Sequence, residues 1–412
     1  MHNLALALQE KGDLVTGSDD AIFEPSKSRL ATKGLLPEAM GWFPEKINKD
    51  LDAVILGMHA KSDNPELIRA QELGLKIYSY PEFLYEHARH KTRVVIGGSH
   101  GKTTITSMIL HVLKYHGMEV DFMVGAQLEG FDRMVHLTDE NEIMVLEGDE
   151  YLSSPIDLRP KFHLYKANIA LISGIAWDHI NVFPTFENYV EQFSIFVDTM
   201  VKGGMMVYNE EDPELKNVVE EKTNQIKRYA SKTPDYRIEH GATVLETSEG
   251  DVPLEIFGKH NLQNLEGARS ICFHLGLSEE SFYEAIADFS GASKRLEKIA
   301  ENEPTVLFKD FAHSPSKVEA TTRAVREQYA VRKLRACLEL NTYIILNEDF
   351  LKEYLGTLEQ ADEAVLFYSP HAVKIQRLKE VSEAQIAKAF QRKDLVIYTE
   401  PKAFRDFLFT KN

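Results

Sequence analysis

At 412 residues, and with roughly 150 residues per domain, the chain has room for two to four domains, which excludes a single small core. Its 43% hydrophobic and 27% charged residues are ordinary globular usage and exclude long disorder or collagen-like repeats. The 47 Lys and Arg against 64 Asp and Glu leave a net charge of −17, which argues against nucleic acid or an anionic membrane as partner, so any phosphate must be held locally. Cys272 and Cys337 match no metal or redox spacing; both are expected in the core, in a reducing compartment. No apolar run reaches 18 residues and no leader-like segment opens the chain, so a cytoplasmic location is expected.

HNLALALQEKG at the start has apolar residues at helical spacing with Gly12 as the stop, so the chain is expected to begin inside a helix. Short apolar runs at 14–16, 52–58 and 75–78 then read as strands, and 65–73 and 81–88, each with proline near its first turn, as helices. This is the alternation of a parallel sheet covered by helices, lacking the central first strand and glycine turn that should precede Met1. After the basic stretch HARHKTR, a strand at 93–97 feeds a glycine turn and a helix from 102 to about 116. Buried strands are predicted at 141–147 and 169–175, an amphipathic helix at 185–201, short β alternation over 229–256, and helices at 262–275 and 279–289. From Val306 the alternation resumes, with strands in VLFKDFA, RACLEL, EAVLFY and DLVIY and helices after Pro315 and from Asp349, Ser382 and Pro401.

The strongest chemical signal is Gly97-Gly98-Ser99-His100-Gly101-Lys102-Thr103-Thr104 between a strand and a helix. Glycines let backbone amides turn toward a polyphosphate, the helix N-terminus adds partial positive charge, Lys102 supplies a point charge, and the Thr103 hydroxyl suits Mg²⁺. Ile96 stands where the strict P-loop pattern has its first glycine, so what survives is GxxGKT in the right context. As a loop residue Lys102 is expected to be exposed, so that its removal costs little stability. Glu147, ending a buried strand in VLEGDE, offers a hard oxygen to a phosphate-bound metal ion; Trp177-Asp178-His179 follows the next strand at the same edge. Asn261 and Asn264, three apart in KHNLQN, share a helix face, and Asn261 also suits an N-cap. Arg295 lies in KRLE, and Asp310 and His313 in DFAHSP, at a strand-to-helix turn.

Taken in order along nearly the whole chain, GSHGKTT, EGDEY, WDH, HNLQN, KRLE and DFAHSP resemble the ATP-dependent Mur ligases. The resemblance implies an α/β fold of three domains: a Rossmann-like N-terminal UDP-sugar domain over 1–90, its first strand missing, a central P-loop ATPase domain over 91–298, and a Rossmann-like C-terminal domain over 299–412 that receives the amine or peptide. It implies ATP and Mg²⁺ as cofactors. The implied reaction is amide ligation: the carboxylate of UDP-N-acetylmuramate attacks ATP to give an acyl phosphate, and an amine displaces phosphate. By motif, Gly98, Ser99, His100, Gly101, Lys102, Thr103 and Thr104 would cradle the nucleotide, with Lys102 on the β- and γ-phosphates. Thr103, Glu147 and His179 would hold metal, Asn261 and Asn264 would match the family's adenine-side and structural asparagines, and Arg295 and Asp310 would close onto ATP. Ser18, Asp19 and His313 are implied substrate contacts.

EGDEY followed by RPKFHLY is similar to the branch of the family that joins L-Ala-γ-D-Glu-meso-diaminopimelate to the sugar in peptidoglycan recycling; the alternative is the branch that adds L-alanine in biosynthesis. Gly174 and Ala176 stand where the family usually has asparagine and an acidic residue, Ile344 and Ile345 where it tends to have small polar residues, and the closing strand and glycine turn expected after Lys411 and Asn412 are lacking. These departures motivate a second reading, a nucleotide-binding remnant that does not ligate. A nicotinamide dehydrogenase is disfavoured because no GxGxxG precedes the first helix. A monomer or weak homodimer is expected.

Overall fold

The computed structural model describes residues 1–412 except 129, 132, 341–347, 370–381 and 410–412, and the side chains of 348 and 349. Ile344, Ile345, Lys411 and Asn412 therefore lie outside the described residues. The chain packs as two units, Met1–Ile175 with Thr185–Lys232 and Leu265–Ala285, and Ala176–Pro184 with Thr233–Asn264 and Ile286–Asn412.

In the first unit, α1 (His2–Lys11) buries Leu4, Ala7 and Leu8 and stops at Gly12, whose φ of 106° supplies the left-handed turn. α2 (Ser26–Thr32) follows. β1 (Val54–Leu56), α3 (Pro65–Glu72), β2 (Ile77–Ser79) and α4 (Tyr80–Ala88) form a βαβα run in which β1 and β2 pair in parallel. Asn64 caps α3, and Ser79 with Glu82 makes a capping box on α4. The strand expected at 14–16 does not form: Leu14 is 99% exposed, and the pairing found beside it is the isolated bridge of Asp19 with Gly41. A lone extended segment with no neighbour leaves its amides to water.

Further along lie β3 (Thr92–Gly97), α5 (Lys102–Tyr115), β4 (Asp121–Met123), β5 (Val135–His136), β6 (Ile143–Glu147), β7 (Leu152–Ser154), β8 (Asp157–Pro160), α6 (Lys161–Leu164), β9 (Ile169–Ile172), α7 (Phe186–Thr199), β10 (Met205–Asn209), α8 (Pro213–Glu220) and β11 (Lys227–Ser231). Their main sheet has the order β11-β10-β9-β3-β6-β4-β5, parallel except for β4 with β5. β3 is central, flanked by β9 and β6, and Val94, Val95 and Ile96 are fully buried, as a strand covered on both faces requires. Ile96 is level with Glu147 on one side and Leu171 on the other, so the ends of β3, β6 and β9 deliver their loops to one edge. Strands β4, β5 and β10, none of them predicted from the sequence, also belong to this sheet.

The second unit has an antiparallel sheet of β12 (Tyr236–Glu239), β13 (Ala242–Thr247) and β14 (Gly250–Leu254). Helix α9 (Lys259–His274) starts in this unit and passes at Leu265 into the first, which also holds nearly all of α10 (Glu279–Ile286); the second unit resumes with the hairpin of β15 (Glu297–Glu301) and β16 (Val306–Lys309). α11 (Pro315–Gln328), β17 (Arg335–Glu339), α12 (Glu348–Leu351), β18 (Glu363–Phe367), α13 (Glu383–Phe390), β19 (Val396–Tyr398) and α14 (Pro401–Phe409) end the chain, with β17, β18 and β19 pairing in parallel. Leu338, Phe350, Tyr354, Leu366, Ile386 and Phe390 form its core. Cys272 is buried as expected, but Cys337 is exposed, because alternation along β17 buries Leu338 instead. Among the described residues no helix is long and apolar enough to cross a membrane.

Candidate functional site

The loop from Gly97 to Gly101 leaves the end of β3 and enters α5. Gly98 has φ 127°, and a Cβ there would lie 2.1 Å from Ser173 Oγ, so the close approach of the β3 and β9 loops needs glycine. The Ser99 amide donates to the Gly174 carbonyl (3.0 Å) and Ser173 Oγ donates to the His100 carbonyl. Gly101, at φ 75°, turns the chain into α5, whose first residues Lys102, Thr103 and Thr104 start the helix at this edge. The first amides of a helix have no partner within it, and the positive end of its dipole lies at this edge.

Lys102 is not the exposed loop lysine that was expected. Its side chain is 13% exposed, and Nζ donates to the Gly98 carbonyl (2.6 Å) and to Glu150 Oε2 (2.6 Å), a carboxylate only 1% exposed. Burial pulls the ammonium's pKa down, but Glu150, Asp149 and Glu147 more than offset this, and Lys102 ends above the ordinary lysine value. The helix start tucks the lysine back over its own loop beside the acidic turn.

Thr103 Oγ1 donates to Glu147 Oε1 (2.9 Å), and Glu147 Oε2 accepts from the Gly125 amide (2.7 Å). Burial raises the Glu147 pKa against the opposing pull of the Gly125 amide and Lys102. A hydroxyl and a carboxylate held together at the phosphate edge are hard oxygen donors of the kind Mg²⁺ takes, so this pair fits the implied metal. The hairpin of β7 and β8 returns the chain to the same turn, where Lys161 Nζ donates to Asp149 Oδ2 (2.5 Å). Glu150, Gly125, Ser173 and Lys161 were not singled out by sequence. The acidic turn flagged Glu150 only as a neighbour of Glu147, and the others are distant in sequence.

In the second unit, Asp178 Oδ2 accepts from Lys317 Nζ (3.0 Å) and Asp178 Oδ1 from the His179 amide (2.8 Å). Burial would raise the Asp178 pKa, but Lys317, His179 and His313 outweigh it and hold the carboxyl well below its usual range. His179 itself has φ 54°. Trp177, whose Nε1 donates to the Phe183 carbonyl, packs edge-on against Phe350. Asn261 and Asn264 lie buried in the first turns of α9. Asn261 does not cap the helix: its Nδ2 donates to the Phe257 carbonyl (2.9 Å). Arg295 and Asp310 flank one end of the β15–β16 hairpin, where the Arg295 guanidinium lies 4.9 Å over the Phe311 ring. Asp310 accepts from the Phe311 amide (2.7 Å) and from Thr321 Oγ1. His313 Nδ1 pairs with the Phe311 carbonyl (2.9 Å). Ser18 and Asp19 lie in irregular chain of the first unit, where the Asp19 carbonyl accepts from the Gly41 amide (2.7 Å).

A central parallel strand, a glycine loop into a helix start, and lysine, hydroxyl and carboxylates at one sheet edge define a P-loop nucleotide-binding α/β protein. Three family models match in succession: the Mur ligase family catalytic domain over 1–92, the Mur ligase middle domain over 96–272, and the Mur ligase glutamate ligase domain over 294–406. The UDP-N-acetylmuramate–L-alanine ligase of Persephonella marina is 30% identical over 351 residues, covering 83% of this chain and 74% of that protein. The enzyme of the same name from Carboxydothermus hydrogenoformans is 29% identical over 379 residues, covering 89% and 79%.

Among solved structures, the UDP-N-acetylmuramate–alanine ligase of Thermotoga maritima superposes with a TM-score of 0.72 at 17% identity, covering all of this chain and 90% of that one. A murein peptide ligase from Psychrobacter arcticus gives 0.69 at 21%, covering 99% and 90%. A MurF ligase of Thermotoga maritima in complex with ADP gives 0.63 at 17%, covering 90% and 91%. The chain belongs to the Mur ligase family, with that family's three-domain α/β fold. It is an ATP-dependent, amide-forming ligase of peptidoglycan synthesis.

Proposed function

We propose that the protein joins an amine-bearing acceptor to the carboxylate of UDP-N-acetylmuramate through an acyl phosphate, with L-Ala-γ-D-Glu-meso-diaminopimelate as the acceptor. The observation that supports ATP activation is the cradle itself: Lys102 beside Gly98 and Glu150, and Thr103 beside Glu147, at the switch point of the sheet. Lys102 exchanges Glu150 for the β- and γ-phosphate oxygens, the start of α5 faces the same charge, and Thr103 with Glu147 holds the cation. Mg²⁺, when bound with ATP, supplies charge neutralisation on the phosphates. The sugar carboxylate takes the γ-phosphoryl group, ADP leaves, and the acceptor amine then attacks the acyl carbon and expels phosphate.

Residues 1–90 are assigned to the UDP-sugar, 91–298 to ATP and 299–412 to the acceptor. His179 is assigned to the second cation, Asn261 and Asn264 to the adenine-side and structural asparagine roles, Arg295 and Asp310 to closure over ATP, and Ser18, Asp19 and His313 to substrates.

The tripeptide reading draws on the EGDEY turn and the RPKFHLY segment, which delivers Lys161 to Asp149. L-Alanine is the second reading, favoured by the names of the sequence relatives from Persephonella marina and Carboxydothermus hydrogenoformans. Offering both acceptors at equal concentration with ATP, Mg²⁺ and UDP-N-acetylmuramate, and weighing the product by mass spectrometry, separates them. A tripeptide adduct as the main product supports the first reading, and an alanine adduct replaces it with the second.

A further inference from the structure

α7 carries an aromatic stripe, Tyr189, Phe193 and Phe196, buried at helical spacing, with the Tyr189 and Phe193 rings 5.3 Å apart at 75°. Packing alone would be served by phenylalanine at 189. A phenol this deep is costly unless its hydroxyl is satisfied, and here the hydroxyl reaches the phosphate loop. It donates to Glu150 Oε1 (3.0 Å) and lies 2.8 Å from Ser99 Oγ. One phenolic proton allows one donation, so with Glu150 as its acceptor, the Ser99 hydroxyl donates to the tyrosine oxygen. The line runs from Ser99 through Tyr189 to Glu150 and ends on Lys102, which reaches the other carboxylate oxygen at 2.6 Å.

We infer that Tyr189 is a positioning residue for the phosphate-binding lysine: its phenol holds Glu150 by Oε1, so that only Oε2 pairs with Lys102 and the ammonium can leave for a nucleotide phosphate. The inference rests on the reading of this cradle as the ATP site. Without the phenol, the charge of Glu150 is no longer shared with a neutral donor, and the carboxylate closes on Lys102 as a tighter pair that ATP must break. One hydrogen bond to a charged group is enough to change affinity about tenfold.

The experiment uses the full chain as wild type, Tyr189→Phe, Glu150→Gln and the double variant, with Ser99→Ala as a second way of cutting the line. Calorimetric Kd values for ATP and ADP are read beside KM for ATP, kcat and the melting temperature. Tyr189→Phe is expected to weaken ATP and raise its KM about tenfold, with kcat within about twofold of wild type. In the Glu150→Gln background the same substitution is expected to change nothing, because the group it acts through no longer carries charge. Ser99→Ala is expected to move affinity in the same direction by less. Wild-type affinity in Tyr189→Phe, or an equal loss in the Glu150→Gln background, overturns the inference while the ATP site stands. Failure of the wild-type protein to bind ATP overturns both.

Discussion

Replacing Lys102 with alanine separates the catalytic and structural roles of the cradle. The ammonium and the Glu150 carboxylate are 13% and 1% exposed and 2.6 Å apart, so the substitution leaves a buried carboxylate without its cation. Breaking one side of such a pair costs about 3 kcal/mol. For a unit of this size that lowers the melting temperature by roughly 10 °C. The companion variant Lys102→Ala with Glu150→Gln removes both charges and is expected to recover most of the stability while remaining inactive, because no cation faces the transferring phosphoryl group. Calorimetric melts of wild type and both variants, run beside phosphate release from ATP, read the two effects independently. A single variant that melts with wild type would refute the buried-pair reasoning, and one that turns over like wild type would refute the role of Lys102 in phosphoryl transfer.

Other positions carry equally definite expectations. Gly98→Ala forces a side chain into φ 127° and against Ser173 Oγ at 2.1 Å and its amide at 3.0 Å; a lower melting temperature and at least about tenfold weaker ADP binding should follow, with little recovery on adding Ser173→Ala. Glu147 has a raised pKa, so its charge destabilises the nucleotide-free fold as pH rises through the carboxylate range. Glu147→Gln should therefore melt at or above the wild-type temperature at pH 7 while losing about a hundredfold or more in Mg²⁺-dependent turnover. Asp121, fully buried, accepts from His87, Lys91, Thr138 and Asn141, and burial notwithstanding these donors hold it at about 2 rather than 3.8. A depressed carboxyl stabilises above its unfolded pKa, here by about 2 kcal/mol, and loses that as pH falls from about 4 through 2. Denaturant titrations should show Asp121→Asn less stable at pH 7 with most of that gap closed by pH 2, and a constant gap across that range would refute the linkage.

The phosphate cradle was legible because its information is local: a buried apolar run, glycines, then GKTT at a helix start. What Lys102 touches was not, since Glu150 lies 48 residues away and its burial follows from the β3–β6 register. Tyr189 was hidden more thoroughly. On an apolar helix face it reads as core, and its 90-residue separation from Ser99 is closed only by tertiary packing. The segment at 14–16 failed the other way: a strand-like run became irregular chain, since a strand needs a neighbour that composition cannot supply. Short β4 and β10 were missed because three to five residues beside turns carry too little periodicity. Gly174, flagged as a departure, has a local reason in the fold: a Cβ there would lie 2.8 Å from Asp212 Oδ2, which accepts from the Ile175 amide at 2.6 Å.

Activation of a sugar carboxylate by ATP and its transfer to an amine can be tested directly. Inorganic phosphate release from ATP and Mg²⁺ should be measured with UDP-N-acetylmuramate, with and without L-Ala-γ-D-Glu-meso-diaminopimelate or L-alanine. Sustained release is expected only when the sugar nucleotide and one of the two acceptors are both present, and is expected to be abolished in Lys102→Ala. Bound ATP with no release under any combination would contradict this transfer and leave a nucleotide-binding protein that does not ligate.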